Sequence, residues 1–375
     1  MKYCQKCLQP DSRPGTLFIN GVCPACDFKF TSTRQDWKTR KRILKDVLDA
    51  RKSVGHGSGH DSILGVSGGK DSTRLALFAR DALGLNPLLV AVTYPPEQMT
   101  VTGARNLDNL IRLGFDVYQT SPSPITWKSL MKASFIQSAN WAKSTELALF
   151  SGVPQIAIEN GIELILWGEN PGLQLGALET LGREGWDGNS LRNMNTLNGM
   201  DQGWLLSQGV NKSRIGPYLY PSSTEFESHN LQVVFLGWAM GNWGLLENGL
   251  AAGLAGLQSR NDSPLNTSDL VNFTSLDEDW VILNQMIKYY KYGFGRATDY
   301  VNEWIRVGRI TRSEGIPIVE KYDGACANHY IESFSDFIGI TVHDFWDIVR
   351  KHTNTSYFEM RGSNRPRPLF KVGQS

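Results

Sequence analysis

The residues with the densest chemistry are Ser67-Gly68-Gly69-Lys70-Asp71-Ser72-Thr73, which follow the apolar run 63–66 and lead at once into an amphipathic segment. This order predicts strand, glycine turn, helix. Two glycines let the backbone approach an anion, and the free amides and dipole of a helix start favour negative charge. Ser67, Ser72 and Thr73 add hydroxyls, Lys70 a point charge, and Asp71 a carboxylate that can hold a metal or brace the turn. Phosphate is the expected guest. A serine-glycine turn with no ligand is the plain alternative. The spacing is not G-x-x-x-x-G-K-[ST], because Asp71 follows the lysine.

A second array is Cys4-x2-Cys7, fifteen intervening residues, then Cys23-x2-Cys26. Each Cys-x-x-Cys pair brings two thiolates to one ion from a tight turn, and two such pairs complete a tetrahedral S4 site for zinc. With all four positions filled by thiolate, the site is expected to be closed and structural. Two disulfides are the alternative. Asn20-Gly21 and Pro24 suit a small ribbon in which metal replaces a core too small to hold itself. Only Cys326 is left over; beside His329 it could pair for catalysis, but a buried structural thiol is the reading taken. No glutaminase signature is present: Cys4 is neither the first nor the second residue, and Gly324-Ala325-Cys326-Ala327-Asn328 lacks the second glycine of a nucleophile elbow.

The elements that must position these residues follow from periodicity. Thr33 with Asp36 marks a helix start, and Trp37, Leu44, Val47 and Leu48 continue a linker helix to Arg51. Its basic residues could touch RNA; a solvated face is preferred. Residues 55–60 form a polar linker whose His56 and His60 are less favoured as metal ligands. Strands are expected at 63–66, 88–93, 115–119, 162–167 and 231–238, alternating with helices around Leu75, around Leu107 and up to Asn160. This alternation specifies an α/β doubly wound parallel sheet, with ligands at the C-terminal strand ends. Glu169 and Asn170, after the 162–167 strand, would then face the glycine loop, as ligands or merely as a strand cap. Residues 168–217 hold ten Gly and six Asn, which reads as a substrate loop or lid. Residues 280–352 are helical, with a capping box at Thr311 and Glu314. Between the first two of these helices, Arg296 either meets phosphate or pairs locally with Asp299.

Composition narrows the classes. Hydrophobic residues make up 41% and charged residues 20%, and Lys+Arg 38 against Asp+Glu 37 leaves a net charge of +1. Such a chain has no global field for nucleic acid, so a nucleic-acid partner is not expected. No apolar stretch reaches the length of a membrane span and the N-terminus lacks a signal-peptide core, so no membrane partner and a cytoplasmic location are expected.

Taken together, the four-cysteine knuckle, Ser-Gly-Gly-Lys-Asp-Ser, Thr102-Gly103-Ala104-Arg105-Asn106-Leu107, Trp167-Gly168-Glu169-Asn170 and the run from Lys291 to Asp299 resemble the N-acetyl sugar amidotransferases of surface-polysaccharide (LPS O-antigen) biosynthesis, within the N-type ATP pyrophosphatase (PP-loop) superfamily. The resemblance covers most of residues 1–325. It implies an adenine nucleotide α-hydrolase-like sheet and four segments: a zinc ribbon at 1–31, a linker helix and loop at 32–60, an ATP pyrophosphatase domain at 61–260 and a helical C-terminal region at 261–375. It also implies conversion of a sugar acetamido group to acetamidino through an O-adenylyl imidate, releasing AMP and pyrophosphate. On that resemblance Ser67, Gly68, Gly69, Lys70, Asp71, Ser72 and Arg296 hold the pyrophosphate of ATP with Mg2+. Lys70, Asp71 and Glu169 are the catalytic candidates, Glu169 and Asn170 lie near the sugar or metal, and Cys4, Cys7, Cys23 and Cys26 hold structural Zn2+. The expected partners are a UDP-linked N-acetylated sugar, a separate glutaminase and a barrel-type ammonia-channel subunit. A tRNA-thiolating ATP pyrophosphatase with a zinc ribbon is the second reading, weakened by the lack of extra cysteines. A non-catalytic zinc-ribbon module on a degenerate nucleotide fold is the third.

Overall fold

The computed structural model describes residues 1–27, 37–52, 59–168, 171, 182, 185–194, 197, 201–360 and 365–374. The order is α1 (Trp37–Lys52), β1 (Ser62–Gly65), α2 (Lys70–Leu77), β2 (Pro87–Val92), α3 (Val101–Arg112), β3 (Val117–Thr120), α4 (Pro124–Ser138), α5 (Ala142–Asn160), β4 (Leu164–Trp167), α6 (Gln202–Ser207), α7 (Ser223–Ser228), β5 (Gln232–Phe235) and α8 (Leu245–Leu254). The helical remainder is α9 (Pro264–Thr267), α10 (Val281–Tyr292), α11 (Arg296–Arg306), α12 (Arg312–Tyr322), α13 (Asn328–Ile338) and α14 (Val342–His352).

Strands β1 to β5 form one parallel sheet in the order β3-β2-β1-β4-β5. Alternation along each strand splits the core into two layers. Leu64, Leu89, Leu166 and Val234 face α2 and α3, while Ile63, Val90, Ile165 and Val233 face the C-terminal half of α5. Helices therefore cover both faces, which is why the strands read as unbroken apolar runs. The chain leaves β1 towards β2 and β3 on one side and returns through α4 and α5 to β4 on the other. The β1/β4 boundary is thus the topological switch point, where an open α/β sheet binds ligands.

A third core builds the helical lobe. Phe135 of α4 stacks on Phe345 of α14 at 5.3 Å and meets Phe334 of α13 edge-on at 5.0 Å. α5 joins the lobes, its Leu147 and Ala148 lying in the helical core and its Val153 and Ile156 under the sheet. Leu283, Ile287 and Tyr290 form the buried face of α10, and Phe345, Trp346 and Val349 that of α14, while Val342, at helical spacing with them, is exposed. The Thr311–Glu314 capping box forms at the start of α12.

Several details depart from expectation. β5 stops at Phe235 and turns into a 3-10 segment, because Gly237 N–H donates to Gly168 O at 2.9 Å instead of continuing a ladder. Of the long 168–217 stretch, the described part at 201–217 buries Leu205 and Ile215 in the helical core, so that portion is scaffold rather than lid. α1 packs Leu44 and Leu48 on the sheet, and its Arg40 is buried between the Trp37 and Trp238 rings, while Lys38, Lys41, Arg42 and Lys45 are exposed. Its expected start at Thr33, with His56, lies outside the described residues. His60 faces Asn86 O and the Asp116 carboxylate. No described helix is long and apolar enough to cross a membrane.

Candidate active site

The glycine loop runs from the end of β1 into the first turn of α2, at the switch point. Gly68 has φ +76°, and a Cβ there would lie 2.7 Å from Leu107 N, so only glycine lets the loop nest against α3. Gly69 is the N-cap of α2, with φ −74°, and no side chain caps the helix. The amides of the first helical turn therefore lack a capping oxygen, which is the arrangement that receives an anion. Ser67 Oγ accepts from Gly69 N at 3.3 Å, and Ser72 Oγ donates to Gly69 O at 3.2 Å.

Asp71 is held from two sides. Lys70 Nζ pairs with one carboxylate oxygen, and Asn248 Nδ2 donates to the other at 2.6 Å. Asn248, 1% exposed on α8, accepts in turn from Arg74, whose Nη2 reaches Asn242 Oδ1 at 2.6 Å. This buried chain sets the direction of the carboxylate before any ligand arrives.

The opposite wall is the segment 273–277, and the Thr102–Leu107 motif explains how it is held. Gly103 lets α3 touch it, since a Cβ would lie 2.4 Å from Asp277 Cα. Thr100 N donates to Asp277 O at 3.0 Å, and Asn106 clamps Gln258 through two bonds of 2.8 and 2.9 Å. From behind, Arg260 donates to Thr274 O and Ser275 O, while buried Asp269 accepts from Thr274 Oγ1 at 2.7 Å. Asn272 and Ser275 adopt left-handed φ of 60° and 45°. Non-glycine residues hold such conformations only where the surroundings over-determine them, and functional walls are where this occurs.

Loop and wall enclose a cavity of about 350 Å³. Its polar end is Ser67, Gly69, Lys70, Asp71 and Ser72; its apolar side is Val90, Val92, Leu149, Val153 and Trp167. An apolar side beside an anion cradle suits an aromatic base joined to phosphates. Asp277 closes the far side, and burial lifts its carboxyl to about 6.

Arg296, at the start of α11, does not pair with Asp299. Its guanidinium meets Thr274 Oγ1 and Ser275 Oγ at 3.3 and 3.0 Å and lies 3.9 Å from Asp269. Asp299 instead pairs with Arg13 of the ribbon and Lys288 of α10. Burial opposes its charge, yet the two cations hold its carboxyl at about 2. The i,i+3 spacing allowed a local pair, but tertiary contact supplied closer partners. Arg296 thus reaches the loop's neighbourhood through the wall, lining a second cavity rather than the first.

The cysteines converge as their spacing implies. The four Sγ atoms of Cys4, Cys7, Cys23 and Cys26 lie within 4.8 Å of one another and all four residues are buried. Cys7 Sγ and Cys23 Sγ are 3.7 Å apart. A tetrahedron with metal–sulfur bonds of about 2.3 Å has an edge of about 3.8 Å. Amides of Lys6, Gln9 and Cys23 donate to the sulfurs at 3.3–3.4 Å, which favours thiolate. The donor set fits zinc. Asn20 and Gly21 form the hairpin turn with φ of 51° and 76°. Leu8 N donates to Asn302 Oδ1 at 2.7 Å, so the ribbon sits on α11. Cys326 is buried, its thiol pushed up to about 12 by burial, and its Sγ faces Ala327 O.

Glu169 and Asn170 lie outside the described residues; Trp167 and Gly168 before them line the cavity. Sequence reading missed Asn248, Asp277, Thr274, Ser275 and Arg13. Asn248 sits in an apolar helix with no local mark, though a lone buried amide there was a signal of a polar partner.

Fold and loop define a doubly wound α/β protein with a phosphate-type glycine loop at its switch point. Residues 267–369 match the family model described as LPS biosynthesis protein WbpG-like, C-terminal domain. That is the kind of protein to which the order of motifs pointed, and the match includes the 273–277 wall and Arg296. No curated protein sequence matches the chain. Among solved structures it is similar to the NH3-dependent NAD synthetase from Campylobacter jejuni subsp. jejuni NCTC 11168, in complex with the nitrate ion, at 18% identity with a TM-score of 0.28. That similarity covers 38% of this chain and 61% of the synthetase, under two thirds of its length.

Proposed function

We propose that the chain is an ATP-dependent amidotransferase of surface-polysaccharide biosynthesis, converting the acetamido group of a UDP-linked N-acetylated sugar to acetamidino. One observation carries this reading: the WbpG-like region contributes Thr274, Ser275 and Asp277 to the same cavity as the glycine loop. A nucleotide held by the loop therefore faces residues of a domain associated with lipopolysaccharide biosynthesis.

The chemistry needs a good leaving group on an amide carbon. The acetamido oxygen attacks the α-phosphorus, the bond to the β-phosphate oxygen breaks and pyrophosphate leaves. Ammonia then adds at the imidate carbon, AMP departs with the former amide oxygen, and a proton is lost to give the amidine. The chain's residues act by position and charge. The amides of 70–72 and the hydroxyls of Ser67 and Ser72 receive the leaving pyrophosphate, and Lys70 swings from Asp71 to meet it. Asp277 is the carboxyl on the wall opposite the loop, poised to take the proton that the added nitrogen sheds once ammonia has attacked. Asp71 and Asp277 are hard oxygen donors of the kind magnesium takes, and the ion would supply further charge neutralisation on the triphosphate. Ammonia comes from a separate glutaminase through a barrel-type partner in this reading. The buried, unpaired Cys326 offers no persulfide carrier, which disfavours tRNA thiolation.

The test is turnover by the purified chain with ATP, ammonium chloride and UDP-linked N-acetylated sugars, following AMP, pyrophosphate and sugar mass. AMP formation with replacement of one oxygen by NH in the sugar supports the reading. AMP release only with unmodified tRNA and a sulfur donor overturns it.

A further inference from the structure

A second cavity of about 260 Å³ adjoins the first and shares Lys70, Asp71, Trp243, Thr274 and Ser275 with it. Its outer walls come from two other parts of the chain: Gln9 and Arg13 of the cysteine ribbon, and Arg296, Asp299 and Glu303 of α11. The ribbon is thus part of a site wall rather than a separate appendage.

The lining has a definite chemical bias. Its cations are already engaged, Arg13 with Asp299, Arg296 with Asp269, Thr274 and Ser275, Lys70 with Asp71, and Arg306 with Cys7 Sγ through Nη2. Most of its acceptors are matched too, Gln9 Oε1 by Arg13 Nε at 2.9 Å, but one is not. Gln285 Oε1 is buried and meets no hydrogen-bond donor among the described residues. Glu303, half-buried on the same wall, accepts from Leu245 N through one oxygen at 2.5 Å. A buried acceptor left without a donor is costly, so a ligand that donates is favoured. Engaged cations beside an open buried acceptor favour a neutral group with hydroxyl donors over a second anion. The Trp243 ring adds the flat apolar surface on which the C–H face of a pyranose packs.

We infer that this second cavity is the subsite for the pyranose ring of the acceptor, its hydroxyls donating to Gln285 and Glu303 and its acetamido group reaching the nucleotide cavity at the shared Lys70–Ser275 boundary. This assignment rests on the amidotransferase reading. It names which of the two cavities takes which substrate and gives the ribbon a part in acceptor binding.

The experiment is calorimetric titration of the full zinc-loaded chain with α,β-methylene ATP and, separately, with UDP-linked mono- and diacetamido hexoses, for the parent, Gln285→Leu, Glu303→Gln and Asp277→Asn. Glu303→Gln keeps an acceptor for Leu245 N and guards against a folding defect, which a thermal melt reads directly. The expected result is sugar-nucleotide affinity weakened about tenfold or more in Gln285→Leu and Glu303→Gln, the loss of about one hydrogen bond, with affinity for the ATP analogue unchanged. Unchanged sugar affinity in both, with loss in Asp277→Asn, overturns the subsite while leaving the amidotransferase reading in place. A parent chain that binds the ATP analogue but none of these sugars overturns both.

Discussion

Asn248 Nδ2 donates to Asp71 Oδ1 at 2.6 Å, joining two residues 177 positions apart and fixing the only acidic side chain of the glycine loop. The oxygen of the same amide accepts from Arg74, so one buried side chain aligns a carboxylate and a guanidinium together. Asn248→Ala is expected to leave the sheet intact but let Asp71 rotate onto Lys70 alone. ATP affinity or turnover should fall about 10–100-fold, the usual cost of losing an orienting partner. Titration with the ATP analogue beside a thermal melt checks this; normal ATP handling would remove Asn248 from the site.

The two loop glycines should differ. Gly68→Ala forces a side chain into a left-handed conformation and against the backbone of α3, a cost of roughly 1–3 kcal/mol. Gly69→Ala meets only Ser67 Oγ at 3.2 Å and keeps an ordinary φ, so it should fold normally while narrowing the anion cradle. Denaturant unfolding of the two variants reads the contrast. Equal stability would show that the nesting on α3 is not what requires Gly68.

Stripping metal should loosen the ribbon and with it the Arg13–Asp299 pair. The zinc-free chain and Cys23→Ser are expected to melt at lower temperature, with zinc restoring only the former. Elemental analysis should find zinc equimolar with the chain. A melting temperature indifferent to chelator would mean that the thiols need no ion.

Stability should fall as pH rises through the neutral range. Burial lifts the Glu278 carboxyl to about 8, with Asp277 adding to it. The folded chain then keeps a proton that the unfolded chain has released, so stability is fullest below the ordinary carboxylate range and is lost as pH climbs towards about 8. Thermal melts across that window should slope downward in the parent and flatten in Glu278→Gln. One common slope would exclude Glu278 as its source.

Breaking the ribbon's ion pair should be costly from either end. Asp299→Asn leaves Arg13 and Lys288 facing each other without their shared carboxylate, a loss of roughly 2–4 kcal/mol for a pair so little exposed. A double-mutant cycle with Arg13→Met measures the coupling, and additivity would show that the contact contributes nothing.

What the sequence determined by itself is whatever depends on near neighbours. The glycine turn, the two Cys-x-x-Cys pairs, the Asn20-Gly21 hairpin and the Thr311–Glu314 cap are local, because backbone conformation and short-range donors decide them. The parallel sheet was legible too, since strands buried on both faces must read as apolar runs between helices. Tertiary structure alone decided the rest. Nothing near Asn248 in the chain points to Asp71, nothing near Arg13 points to Asp299, and the i,i+3 spacing of Arg296 and Asp299 suggested a pair that distant partners displaced. That 273–277 closes the nucleotide cavity depends on Gly103 permitting a backbone approach from another helix. A polar side chain binds whichever complementary group the packed chain brings to it, and sequence spacing records only the nearest of the choices.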